Sequence, residues 1–334
     1  MSAKFFVLLF LCTLLSQAQA IKGRVFDALT KEPLQDVSVY YDGTTTGVIT
    51  NPEGYFEIKK INGIAPLIIS YTGYSPKLFE QEAIPNNPFD VYLIESREKL
   101  MDVVIEADPW SRERKEKQFK KEFLGKTIAS QECTILNLEK VELKFSPSNQ
   151  TLYAWCDEPI LIENKHLGYK VSFNLQDFEV LYTTTEMGLI MKKQSFFSGT
   201  SFFNPFEKTR KKYIKNRKNT YLGSSMHYLR ALRDKKIAEE KFRTFHKGFE
   251  TMPYRYYNIS NEENGLTKIS MLVDKLTIVY NSLSDQSMII KNPGIDHFYI
   301  DSTGLFIPYG AIMYSGVFGL EGVGTMLPSD YKVD

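Results

Sequence analysis

The sequence predicts an N-terminal all-β sandwich followed by a β-rich α+β domain. Residues 21–95 contain seven short strand-like runs separated by Gly, Asn, Asp and Pro, which supply the backbone angles of turns. The chain also has 20 tyrosines and 23 phenylalanines, and aromatic rings suit half-buried pleated surfaces. Three segments with helical patterns, 108–126, 205–219 and 224–247, interrupt the later strands.

The first 20 residues have the pattern of a secretory signal peptide. Lys4 supplies a positive charge, residues 5–15 are apolar, and Ala18-Gln19-Ala20 has the small-x-small spacing of a cleavage site. The apolar run is too short to cross a bilayer as a helix. We therefore expect export, cleavage after Ala20, and no transmembrane segment in the mature chain.

The charge of the mature chain is balanced. Removing residues 1–20 takes away one basic residue, Lys4, and no acidic residue, so the 41 basic and 40 acidic residues become 40 and 40. This balance does not indicate a nucleic-acid partner. Two cysteines remain, Cys133 and Cys156. They form a candidate disulfide in an oxidising compartment, and two separate buried thiols are the alternative.

Seven short strands are predicted in the N-terminal segment. Val37 and Val39 alternate with Ser38 and Tyr40, the period-2 pattern of a strand with one buried face. Many short strands without a helix are typical of a sandwich. The predicted strands are residues 22–26, 37–41, 47–50, 55–58, 67–71, 77–79 and 90–94.

Ordered blocks within residues 21–95 resemble a known family. They are Gly23-Arg24-Val25 with Asp27, Pro33-Leu34 with residues 36–39, residues 47–51 with Gly54-Tyr55-Phe56, and residues 69–74. These blocks resemble the carboxypeptidase regulatory-like family, although Asn51 stands where the family usually has Asp. The resemblance implies a transthyretin-like (prealbumin-like) sandwich that serves as an accessory domain. It also implies that the protein comes from a Gram-negative bacterium of the Bacteroidetes type.

Residues 96–126 are predicted to connect the two domains through a strand and a charged helix. The stretch 100–107 is similar to the segment that follows the same module in TonB-dependent outer-membrane receptors, where it is offered to a periplasmic partner by strand addition. A plain linker strand is the alternative. The candidate partner strand comprises Asp102, Val103, Val104 and Ile105.

Residues 127–334 are predicted to form an α+β domain of unknown function. Strand-like runs fill most of it, and the helices predicted over 205–219 and 224–247 lie in its middle. Several blocks, among them residues 159–169 and 327–331, resemble the body of uncharacterised secreted proteins that carry the same N-terminal module. This second resemblance implies no activity.

The sequence contains no recognisable catalytic constellation. Zinc carboxypeptidases use a His and a Glu three residues apart, whereas the residues three after the four histidines are Tyr169, Arg230, Phe249 and Ile300. Neither a Gly-x-Ser-x-Gly elbow nor a phosphate-binding loop occurs. The sequence thus indicates no catalytic, metal-binding or cofactor-binding residues and no cofactor, and it leaves open whether the protein is an enzyme.

The strongest local charge bias is cationic. Residues 207–247 contain 14 basic and four acidic residues. Lipid headgroups and acidic glycans are the natural anions outside the cytoplasm, and solvated outer helix faces are the alternative. The densest run is a candidate anion-binding patch of Lys208, Arg210, Lys211, Lys212, Lys215, Arg217 and Lys218.

These patterns favour a non-enzymatic exported envelope protein in the periplasm, at the outer membrane or on the cell surface. The sandwich is expected to serve as a docking or spacer module, and the second domain to bind an envelope partner or a ligand. One alternative is a hydrolase acting on peptide or glycan with its site in residues 131–330. Another is a carbohydrate or small-ligand binder that presents aromatic side chains such as Tyr153, Trp155 and Tyr169.

Overall fold

The computed structural model describes residues 20–85, 88–96, 106–185, 190–281 and 285–333. Within these ranges the chain folds mainly into β-sheets, with a few short helices between the strands.

The N-terminal segment is a sandwich of two small sheets. Its strands are β1 (Ala20–Asp27), β2 (Ser38–Tyr41), β3 (Gly47–Ile49), β4 (Tyr55–Lys59), β5 (Leu67–Ser70), β6 (Lys77–Phe79) and β7 (Phe89–Leu93), with a 3-10 turn over Gln81–Ala83. One sheet has the order β4-β1-β7 and the other β3-β2-β5-β6. All pairs are antiparallel except β1 with β7. The predicted all-β sandwich is confirmed.

Strand alternation gives the second of these sheets one apolar and one mixed face. Val39 and Tyr41 of β2 are fully buried in the sandwich core. Ser38 and Tyr40 point to the opposite side, because successive side chains of a strand alternate between faces. Ser70 at the end of β5 pairs with Ser38 and lies on the same outer face. This outer face borders the site described below.

A second, larger sheet follows. Its elements are α1 (Arg112–Phe123), α2 (Ile128–Gln131), β8 (Cys133–Ile135), β9 (Glu142–Ser146), β10 (Thr151–Trp155), β11 (Ile160–Asn164), β12 (Tyr169–Thr184) and β13 (Ile190–Pro205), with a 3-10 turn over Leu138–Lys140. The strand order is β8-β11-β12-β10-β9, and β13 forms a long antiparallel hairpin with β12.

Helix α1 belongs to the core of this sheet and is not the solvated connector that its charged sequence predicts. The Ser111 side chain accepts a hydrogen bond from Arg114 N and begins the helix. Phe119 and Phe123 are fully buried, and the Phe123 ring lies 5.2 Å from that of Phe173 on β12. Burial of each ring stabilises the fold by about 1.5–3 kcal/mol.

The third part of the fold has its own core. Its elements are α3 (Lys211–Tyr221), α4 (Ser225–Arg233), β14 (Phe242–His246), β15 (Phe249–Thr251), β16 (Tyr257–Asn261), β17 (Thr267–Met271), β18 (Lys275–Tyr280), β19 (Gln286–Lys291), β20 (Phe298–Ile300), β21 (Phe306–Ile307) and β22 (Ile312–Gly316), followed by 3-10 turns over Phe318–Leu320 and Val323–Thr325. The sheets have the orders β15-β14-β18-β19-β22 and β16-β17-β20-β21. Helix α4 buries Tyr228, Leu229 and Leu232 in this core.

The helix predicted over residues 224–247 is wrong in its second half. Helix α4 ends at Arg233, and Phe242–His246 is strand β14, paired with β18. Lys235 and Lys241 adopt positive φ values of 56° and 64°, a conformation that no helix continues through. The two hydrophobic cores after residue 106 were not distinguished in the sequence, and the domain boundaries at residues 95 and 126 stay a prediction.

Candidate functional site

A cleft of about 600 Å³ opens between the N-terminal sandwich and the second sheet. One wall comes from β2, β3 and the end of β5, and the other from β11, β12 and β13. The alternation of β12 explains why the second wall is polar. Val171 and Phe173 are buried in the core, so the alternating residues, Ser172 and Asn174, face the cleft.

Hydrogen bonds between the two walls fix the floor of the cleft. The Asn174 amide donates to the Tyr40 hydroxyl over 2.6 Å, and the Ser70 hydroxyl donates to Asn174 Oδ1 over 3.4 Å. The hydroxyls of Tyr40 and Thr200 are 3.2 Å apart. Burial raises the pKa of Tyr40 to about 12, so its hydroxyl keeps its proton at neutral pH.

An aromatic contact closes one side of the cleft. The Tyr40 and Phe202 rings lie 5.0 Å apart. Gly47 on β3 makes this approach feasible, because a Cβ atom at that position would lie 2.5 Å from the Phe202 ring. A side chain at position 47 would therefore displace the ring from the cleft wall.

Hydrogen bonds of Asn137 order one side of the cleft, and further polar side chains line it. The Asn137 amide donates to Glu158 Oε1 and Pro159 O over 3.2 and 3.0 Å. Its oxygen accepts from Leu161 N over 2.8 Å. The lining also includes the side chains of Ser38, Ser172 and Asn204.

The lining combines this polarity with apolar surface and acidic charge. Ile49 and Leu161 are 65% and 41% exposed and lie on opposite walls. Asp36 and Glu158 are the acidic members, and no basic side chain lines the cleft in the described part of the chain. The arrangement suits an uncharged or cationic ligand with both hydroxyl groups and apolar faces.

The loop between β2 and β3 joins the sandwich to the rest of the fold by backbone hydrogen bonds. Gly43 N donates to Ser201 O over 2.7 Å, and Phe203 N donates to Thr44 O over 3.0 Å. Ser329 N, from the C-terminal segment, donates to Gly43 O over 2.6 Å. The loop thus lies between strand β13 and the C-terminal segment, and both hold it in place.

Side chains reinforce this junction. Asp42 Oδ1 accepts from Ser201 N over 2.7 Å, and burial raises the pKa of Asp42 to about 6. The Asp330 carboxylate accepts from the backbone and the hydroxyl of Thr45. Arg230 of α4 donates to Ser329 O over 2.9 Å. Four distant parts of the sequence, the β2–β3 loop, β13, α4 and the C-terminal segment, therefore meet at one point.

A second contact lies at the same end of the sandwich, because Asp42 N donates to the oxygen of Pro66, two residues after Ile64. Asp301 is buried, and its Oδ2 accepts from Ile64 N over 3.0 Å. Its Oδ1 accepts from the backbone and hydroxyl of Thr303 over 2.8 and 2.7 Å. Asp301 therefore adds a second contact that holds this end of the module.

Comparison with known proteins identifies the N-terminal sandwich, which forms the first wall of the cleft. Residues 21–105 match the family model of the CarboxypepD_reg-like domain. The predicted module is confirmed. A search of curated proteins found no match. A chain of a type II Cohesin-X-Dockerin complex from Acetivibrio cellulolyticus is 21% identical with a TM-score of 0.17, and the match spans 23% of this chain and about half (51%) of that one.

The candidate anion-binding patch lies on α3 and just before it in the chain. Arg217 differs from the other members, because its guanidinium donates to Leu167 O and Gly168 O over 2.7 and 3.1 Å and lies 3.9 Å from the Tyr169 ring centroid. Arg217 therefore anchors the helix. The exposed members are Lys208, Arg210, Lys211, Lys212, Lys215 and Lys218.

The candidate disulfide between Cys133 and Cys156 is corrected, because both are free thiols. Cys133 begins β8 and Cys156 follows β10, and β11 and β12 lie between these strands. Three strand spacings amount to about 14 Å, whereas bridged Cα atoms lie within about 7 Å. The thiols donate instead to Ala129 O and Lys140 O, and burial raises the pKa of Cys133 to about 12.

The remaining candidate residues do not converge on one site. His227 is buried, which lowers its pKa, and its ring accepts from Gly223 N and contacts Glu240, so it packs and caps a helix. Tyr169 is buried beneath Arg217 and does not contribute to an aromatic binding surface. Among the described residues, no group of His, Cys, Asp and Glu is arranged to hold a metal ion.

Two predictions fall on residues outside the described ranges. The candidate partner strand, Asp102 with Val103, Val104 and Ile105, is one of them, and the signal peptide except for Ala20 is the other. Both stay predictions. In the ranges that the structure does describe, none of the helices combines the length and the apolar character needed to cross a bilayer.

Proposed function

We propose that the protein is a non-enzymatic, exported protein of the cell envelope that binds a carbohydrate in the cleft between its CarboxypepD_reg-like module and its second sheet. The observation that carries this proposal is the cleft of about 600 Å³, lined from both sides. Its volume lies within the usual range of ligand sites. The module thus forms one wall of the binding site in addition to serving as a spacer.

The chemistry of the lining supports a carbohydrate. Amides and hydroxyls can donate to and accept from sugar hydroxyls, and a carboxylate accepts from them. Asn204, Ser172 and Asp36 provide an amide, a hydroxyl and a carboxylate in turn. The C–H faces of a sugar ring can pack on Ile49 and Leu161, which are exposed at the mouth. Acidic residues without basic ones favour a neutral or amine-bearing sugar over an acidic one.

Export rests on the signal-peptide pattern of residues 1–20. A carbohydrate ligand agrees with that location, since envelopes and their surroundings are rich in glycans. The junction around Asp42 supports a docked module, because a freely tethered spacer needs no backbone hydrogen bonds to the neighbouring sheet.

The test is calorimetric titration of the mature protein with neutral and amine-bearing oligosaccharides, preceded by a glycan array. Ser172→Trp fills the cleft with an indole ring, and Ser302→Trp places the same ring on an exposed turn as the matched control. We expect wild type and Ser302→Trp to bind the same oligosaccharide. Ser172→Trp should weaken binding by at least about tenfold, equivalent to about 1.4 kcal/mol.

The titrated sugar should be recovered uncleaved. Cleavage would favour the hydrolase alternative. Equal binding by Ser172→Trp and wild type, with unchanged thermal unfolding of both, would show that the cleft is not the site. Absence of binding by the wild type to every sugar on the array would refute the carbohydrate proposal itself.

A further inference from the structure

Helix α3 presents a stripe of basic and apolar side chains to solvent. Lys211, Lys215 and Lys218 follow one another at spacings of four and three, which places them along one face. Ile214 lies within the same stripe and is 41% exposed, and Leu222 at its end is 37% exposed. Because Ile214 and Leu222 are exposed, they contribute little to the packing of α3 against the rest of the protein.

The opposite face holds α3 to the second sheet. Tyr213 and Tyr221 are buried, and the Tyr213 and Phe206 rings lie 5.7 Å apart. The Asn216 amide donates to His166 O over 2.9 Å, beside the contacts of Arg217. The helix is therefore anchored by its inner face, and its outer stripe is exposed to solvent.

The segment that contains the stripe is strongly basic. Residues 208–233 contain nine basic and no acidic residues. Within the described ranges, no ion pair involves Lys208, Lys211, Lys212 or Lys215. A surface of this kind attracts anions over about a Debye length.

We propose that the outer stripe of α3 docks on an anionic membrane surface. The lysines would lie beside lipid phosphates, and Ile214 and Leu222 would enter the boundary between headgroups and acyl chains, as in interfacial amphipathic helices. The two apolar side chains favour a lipid surface over an acidic glycan, because a glycan polyanion provides no apolar phase for them. This proposal is independent of the cleft.

The experiment is co-sedimentation of the mature protein with vesicles of phosphatidylglycerol and phosphatidylcholine, and with vesicles of phosphatidylcholine alone. We expect binding to the anionic vesicles only, weakened by added salt. The variant Lys211→Gln/Lys215→Gln/Lys218→Gln should lower the partition coefficient roughly 100-fold, since each lysine near such a surface contributes about fivefold.

The matched control is a variant with the same charge change on the CarboxypepD_reg-like module, Lys59→Gln/Lys60→Gln/Lys77→Gln, whose three lysines are exposed. It should bind like the wild type, and Ile214→Ser should weaken binding to the anionic vesicles. Equal losses in both triple variants would overturn the proposal, because binding would then follow net charge alone. Retention on heparin without vesicle binding would also overturn it, in favour of a glycan.

Discussion

Asp42 offers a direct test of the junction that positions the CarboxypepD_reg-like module. Its carboxylate lies between the β2–β3 loop and β13 and accepts from Ser201 N over 2.7 Å. Burial raises its pKa from 3.8 to about 6. The substitution Asp42→Asn preserves the shape and an acceptor oxygen and removes the charge.

The sign and the magnitude follow from linkage. The folded protein holds the Asp42 proton more tightly than the unfolded chain does, so the neutral form favours folding. This contribution is fully present below about pH 3.8 and is lost as the pH rises through about 6. A difference of about 2 in pKa corresponds to about 3 kcal/mol, of which about 2 kcal/mol falls between pH 4 and pH 7.5.

The assay is urea unfolding of the wild type and of Asp42→Asn at about pH 4 and about pH 7.5. The other acidic groups are common to both proteins, and their contributions cancel in the difference between the two pH dependences. The free energy of unfolding of Asp42→Asn, relative to wild type, should be higher by about 2 kcal/mol at the higher pH than at the lower one. Parallel pH profiles would refute the reasoning and show that Asp42 is well solvated.

Two further predictions concern the second sheet. Burial raises the pKa of Glu122, but its hydrogen bond and ion pair with Lys192 at 2.7 Å outweigh burial and hold that pKa below its usual 4.5. Glu122→Ala should therefore lower the free energy of unfolding by about 1–2 kcal/mol near neutral pH, because the lysines that it leaves unpaired are partly solvated. The difference from wild type should shrink as the pH falls below about 4.5; a pH-independent difference contradicts this. Cys133 and Cys156 should both react with an alkylating reagent in denaturant without reductant, as two adducts in the mass spectrum, and an unmodified mass would show a disulfide instead.

The CarboxypepD_reg-like module is the part of the fold most accessible from sequence. Its seven strands follow period-2 patterns, and turn residues such as Gly54 separate them. Gly54 adopts a φ of +71°, and a Cβ there would lie 2.5 Å from Val25 O, so only glycine fits this turn. Local patterns and turns were enough to predict the strands. They do not give the pairing of β1 with β4 and β7, which lie far from it along the chain.

Local patterns were not enough for β14. The spacing of Ala238, Phe242 and Phe245 fits a helical face, but Phe242 packs against Tyr228 of α4 while β14 pairs with β18. Tertiary packing decides such a short apolar run, and periodicity does not distinguish the two structures. The same limit explains the cysteines, whose strands are near in sequence but separated within the sheet.

The cleft could not be predicted because it arises from contacts distant in sequence. Alternation in β2 and β12 indicates that Ser38 and Ser172 face away from their own cores, but it does not indicate that these two outer faces oppose each other. That arrangement depends on Tyr40 meeting Asn174, 134 residues away, and on the Asp42 junction.

A binding site shared by two sheets makes the docking of the module part of the function. If the module were only a spacer, its outer face would be expected to carry charged, well-solvated side chains. It carries instead a buried tyrosine that hydrogen-bonds to the opposite sheet and a glycine that admits Phe202. Neither residue is needed by the sandwich core, to which Val39 and Tyr41 contribute from the same strand. The outer face is therefore adapted to pack against the neighbouring sheet, and the cleft lies beside these direct contacts.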